Sequence, residues 1–268
     1  MRTQISRRTK VILGLVVGTY LALMLTKRFI PTTGAGLNLV LWLQEIGLDV
    51  AALYFLARST TTNESPPLID KLGNRLLMAS LCLTVFSSTL FQVLSRGYGV
   101  TLSGAMGTPV ELMINIPYLL FFALGLLALG RAQMRSKGGS RATLTLAAVG
   151  LFGLTAWMFG PALARTGNPI QNQVIHWMCF ALECGVMAVG LLAVFAASSK
   201  LRYVSLGYFS IALSGYLFQV TEILPDTGFL DFSVDASWTF GQLLLVAGLT
   251  LSAASLHSNG GQREAFIR

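Results

Sequence analysis

Apolar residues gather in eight long runs, near residues 11–26, 36–57, 76–95, 109–130, 142–164, 173–197, 202–222 and 236–256. Polar or charged connectors, chiefly 58–75, 131–141 and 223–235, separate them. A helix rises 1.5 Å per residue, so about 20 apolar residues cross the ~30 Å of bilayer hydrocarbon. The pattern predicts an all-α integral membrane protein of eight transmembrane helices, with no sheet and no soluble domain. The first run follows a basic segment, as in a secretory signal. It ends in Leu23-Met24-Leu25-Thr26-Lys27-Arg28 without a small-residue cleavage site, and is read as a retained span.

The two halves of the chain resemble each other. Leu90-Phe91-Gln92-Val93, closing the third run, recurs as Leu217-Phe218-Gln219-Val220, closing the seventh. Val110-Glu111 recurs as Val234-Asp235, and Leu119, Leu120 and Ala123 match Leu243, Leu244 and Ala247 at the same offset of 124. Trp42 with Asp49 loosely matches Trp177 with Glu183. The expected units are residues 1–136 and 137–268, each of four spans. An even number of spans makes the repeat parallel, with a pseudo-twofold axis along the membrane normal.

Composition agrees with a membrane setting. The 268 residues are 54% hydrophobic and only 11% charged, against about 25% charged in soluble domains. The net charge of +8 invites a nucleic-acid reading, but the cations stand at the ends of apolar runs and no nucleic-acid-binding motif is present. With the N-terminus inside, 15 Lys and Arg residues fall on the cytoplasmic side and four (Lys27, Arg28, Arg96, Arg165) outside. That asymmetry predicts cytoplasmic termini and a bacterial plasma (inner) membrane. Cys82, Cys179 and Cys184 lie within apolar runs and are read as small buried hydrophobes. Gly14-x-x-x-Gly18, and the Gly and Ser of the later runs, are read as close helix-packing positions.

The cations avoid the interior of the runs, whereas Glu45, Asp49 and Glu183 lie within about one turn of the midplane. Glu45 and Asp49 are spaced i, i+4 and share a helix face. Two such anions in low dielectric are expected to titrate as a coupled pair, unless a cation lies between them. Interhelical hydrogen bonding is the structural alternative. His176, Cys179 and Glu183 form a stripe at i, i+3 and i+7, of residue types that bind transition metals. Two turns spread them over roughly 10 Å, which makes one shared ion a weak candidate. Gln92, Glu111, Asn115, Gln219 and Asp235 lie toward the outer ends of the runs, as do Glu222 and Gln242. With the midplane acids they outline a ligand- or ion-binding site open to the outer side. Pro117 is expected to kink the fourth helix, with Asn115 beside it.

Missing signatures narrow the chemistry. Two distant histidines cannot ligate several haems, and no run carries a Lys for a retinal Schiff base, so the sequence argues against haem and retinal. No protease, hydrolase or P-loop motif is present, which argues against an enzyme. The four-plus-four plan resembles that of haem A synthases, yet the ligand histidines of that family are absent, and the resemblance implies nothing about function. The expected function is a small transporter or ligand-binding channel for a cation or a proton-coupled substrate. The alternative is a non-catalytic accessory, assembly or sensing subunit of a larger membrane complex. The expected surroundings are the lipid bilayer, with a membrane-protein partner or a second copy of the chain.

Overall fold

The computed structural model describes residues 11, 14, 15, 17–22, 24, 25, 35–61, 69–94, 109–135, 141–165, 170–196, 199–221, 223 and 229–264. Among these, every long element is a helix. α1 lies within residues 11–25. It is followed by α2 (Ala35–Thr61), α3 (Lys71–Gln92), α4 (Pro109–Arg135), α5 (Arg141–Arg165), α6 (Ile170–Ala196), α7 (Ser199–Thr221) and α8 (Phe229–Glu264).

Among the described residues five helices, α4 to α8, contain stretches long and apolar enough to cross a membrane: Leu112–Met134, Arg141–Ala164, Gln173–Leu192, Leu201–Thr221 and Phe232–Thr250. This is the composition of a membrane protein. Among the described residues, length and composition thus identify five spans, where the sequence pattern predicts eight.

Helix ends depart from the apolar runs where hydrogen bonds, not hydropathy, set them. α3 begins five residues before its run because Asp70 caps it: the Asp70 carboxylate accepts the Gly73 N–H at 2.8 Å, and the Asn74 amide oxygen accepts the Ile69 N–H at 3.2 Å. Arg131, near the end of α4, donates to the same carboxylate at 2.5 Å and ties the two helices together. α8 begins at Phe229, upstream of its apolar run, and takes Ser233 and Asp235 into the helix. Pro117 sits inside a continuous α4, and the Ser87 hydroxyl of α3 donates to the Ile114 carbonyl just before it at 3.3 Å.

α2 packs on α3 and α8, α3 on α4, α4 on α6, α6 on α7, and α7 on α8. The core runs through this ring, from Leu56, Leu77 and Leu81 across Phe121 and Phe122 to Tyr208, Ile211, Leu245 and Leu249. α7 and α8 approach most closely where two glycines face each other. A side-chain carbon on Gly207 would meet the Gly241 carbonyl oxygen at 2.8 Å, and one on Gly241 would meet the Gly207 carbonyl oxygen at 2.7 Å. α5 stands apart, packed chiefly on α6, and only 6% of its span is buried against 67% of the α6 span.

Candidate functional site

Glu183 occupies the middle of α6 and is 0% exposed. The Tyr118 hydroxyl of α4 donates to its Oε1 at 2.9 Å, while Oε2 has no hydrogen-bond partner. Gly215 of α7 makes the room. A side-chain carbon at that position would overlap the Tyr118 hydroxyl and press on Glu183 Oε1. Around the acid are weakly polar groups. Cys179 and Cys184 share its helix, and the Thr155 hydroxyl of α5 lies 3.6 Å from Cys184 Sγ and 3.3 Å from the Tyr216 hydroxyl. Thr155 also donates to the Leu151 carbonyl at 2.9 Å, one turn back on its own helix.

Asp49, in α2, is 1% exposed, and neither of its carboxylate oxygens has a hydrogen-bond partner. The Gln242 side chain of α8 and the Tyr208 phenol of α7 stand close enough to interact with it electrostatically. Each makes a hydrogen bond elsewhere, and Gln242 Oε1 has no partner. The Gln242 amide nitrogen donates to the Glu45 carbonyl at 3.3 Å. The Tyr208 hydroxyl donates to Ser80 Oγ at 2.8 Å, and Ser80 donates on to the Phe121 carbonyl at 2.8 Å.

The two acids do not share a site. A series of ring contacts leads from Tyr118 to Trp238, from Trp238 to Phe121 and from Phe121 to Tyr208, with centroids 6.5, 6.4 and 5.4 Å apart. This aromatic layer runs from the phenol bonded to Glu183 to the phenol set against Asp49. Neither acid forms an ion pair, and no hydrogen bond joins one to the other among the described residues.

The other expected site residues scatter. Glu45 is half-buried, one turn from Asp49, and interacts with Tyr20 of α1, whose hydroxyl donates to the Asp235 carbonyl at 2.9 Å. Glu45 and Asp49 therefore share a helix face but have different neighbours. Asn115 and Asp235 are half-buried near the starts of α4 and α8. The side chains of Gln92 and Glu111 lie outside the described residues. Gln219 is buried and holds His176, with 2.6 Å between Oε1 and Nδ1. Among the described residues no group of three His, Cys, Asp or Glu is placed to hold a metal ion.

Sequence reasoning missed Tyr118. The only signal for it is positional: it lies 124 residues before Gln242, the same spacing that relates Glu111 to Asp235. No protein-family model, curated protein or solved structure matches this chain.

Proposed function

We propose that this chain is a small multi-pass membrane transporter or ligand-binding channel for a cation or a substrate carried with a proton. Asp49 and Glu183 are its ion-handling groups. One observation carries the reading. Two carboxyl groups at most 1% exposed present three oxygens without hydrogen-bond partners, and among the described residues neither group forms an ion pair. Burying such groups costs several kcal/mol unless they are neutralised or paired. An acid retained for packing or helix association is expected to spend its oxygens on donors; three of these four have none.

We place eight spans in the bilayer as two parallel four-helix units, with both termini cytoplasmic. The register of burial supports the repeat. Asn74, Leu77, Ser80, Leu81, Thr84 and Ser87 of α3 are buried, and so are the residues 127 positions later: Leu201, Val204, Gly207, Tyr208, Ile211 and Ser214. Pro117, Phe121, Phe122 and Gly125 of α4 pair in the same way with Gly241, Leu245, Val246 and Leu249, at 124. The contacts between the units also correspond, since α2 meets α8 as α6 meets α4.

Uptake into proteoliposomes tests the function. Asp49→Asn and Glu183→Gln are each expected to abolish transport while the protein stays monodisperse, and wild-type uptake in both would end the reading. A second reading, an accessory or assembly subunit, draws on the α5 face, where Trp157 is 77% and Leu146 72% exposed. A stoichiometric membrane partner that shields a cysteine placed at position 157 from labelling would favour it. Free labelling from the lipid phase favours the transporter.

A further inference from the structure

We propose that the chain holds two separate one-proton sites, Asp49 with Gln242 and Glu183 with Tyr118, in equivalent places in its two halves. The inference rests on the carboxyl reading above and refines it, replacing one shared midplane site with two.

The equivalence is positional and geometric. Glu183 follows Asp49 by 134 residues, and at that offset the buried Ala52 and Leu56 of α2 fall on the buried Val186 and Gly190 of α6. Gln242 follows Tyr118 by 124 residues, the offset that matches the buried face of α4 to that of α8. In each half, therefore, an acid on the second helix is set against a polar residue on the fourth helix of the other half. The pairs are α2 with α8 and α6 with α4, both at the seam between the units.

The chemistry around each acid suits a proton and not a metal ion. A bound cation needs several oxygen ligands, and a carboxyl group needs only one free lone pair to take a proton. The titratable groups that interact with Glu183 are Tyr118 from α4, Cys179 and Cys184 from its own helix and Tyr216 from α7. Asp49 has Tyr208 from α7, the amide of Gln242 from α8 and, one turn away on α2, Glu45. Among the described residues neither set contains a cation. Glu183 Oε1 accepts from Tyr118, which leaves Oε2 to carry the proton. Asp49 has a free oxygen for the proton and a second that receives no donor.

That difference has a spectroscopic signature, because a hydrogen bond to a carboxyl C=O lowers its stretching frequency. Infrared difference spectra of the full-length protein in lipid should show two protonated-carboxyl bands at neutral pH. Asp49→Asn should delete the higher band and Glu183→Gln the lower. Tyr118→Phe, which keeps the ring, should raise the lower band toward the upper one and leave the upper in place, and Gly215→Ala should disturb the lower band alone. The two-site proposal is overturned if no such band exists, if one acid variant alters both bands, or if Tyr118→Phe moves both or neither. Should Glu183→Gln fail to fold, the Tyr118→Phe shift decides the matter. Two independent bands in a protein without uptake would uphold the two sites and dismiss transport. Acid-dependent uptake with a single coupled band would do the reverse.

Discussion

The α3–α4 and α7–α8 pairs solve one packing problem with different side chains. In the first pair the Ser80 hydroxyl bridges to the Phe121 carbonyl and receives the Tyr208 hydroxyl. At the matching place in the second pair, Gly207 has no side chain and the backbone of α8 comes directly against it at Gly241. Both pairs add serine-to-carbonyl bonds, from Ser87 to Ile114 in the first and from Ser210 to Ser237 and Ser214 to Val234 in the second. The first pair holds its helices by a hydroxyl that spans a gap, and the second by removing the gap. The lesson is that two helix pairs can bury the same register of positions while the atoms at the contact differ.

The largest expected effect comes from closing the glycine contact. Gly241→Ala forces a methyl group against the Gly207 carbonyl and the Ile211 backbone, neither of which can rotate aside. A loss of about 3 kcal/mol, the upper end for overpacking, should appear as a lower thermal midpoint in detergent. A neutral result would mean that α7 and α8 are not in close contact here. Ser80→Ala should cost roughly 1–3 kcal/mol, because it deprives the buried Tyr208 hydroxyl of its acceptor. Adding Tyr208→Phe should recover part of that loss, and failure to recover would show that the hydroxyl bridge is not what holds the first pair.

Smaller changes sharpen the comparison. Asp70→Ala removes the cap of α3, for which about 1 kcal/mol is expected. Arg131→Gln should matter less and lose its effect as salt rises, and melting at two ionic strengths separates these contributions. Trp157→Ala on the exposed face of α5 should stay within ~0.5 kcal/mol of the parent in detergent. A large destabilisation would show that the face is covered.

Much of the architecture was legible because helices in a membrane declare themselves by hydropathy and length. The site was less so. Glu45 and Asp49 looked like a coupled pair because i, i+4 spacing guarantees a shared face, but spacing says nothing of what faces it. Asp49 meets α8 and α7, and Glu45 turns to Tyr20. Gln219 drew notice as the repeat partner of Gln92, while its observed task is local, holding His176. Tyr118 escaped notice because a tyrosine in an apolar run is ordinary. Its meaning depends on Glu183, 65 residues away, and on the absence of a side chain at Gly215. Contacts of that kind are properties of the assembled bundle and leave no mark on either segment alone.

The seam between the halves also bears on biosynthesis. The Glu45 carbonyl and the Gln242 amide are 197 residues apart in the chain. At ~5–20 residues per second, α2 waits on the order of 10–40 s in the nascent protein before α8 is made. Through that interval Asp49 is in place without the glutamine that will face it, and Tyr118 likewise precedes its acceptor. A chain truncated after α4 would bring an acid into the bilayer with half of its surroundings missing. The surroundings of Asp49 and of Tyr118 are thus completed only when α6, α7 and α8 have been made.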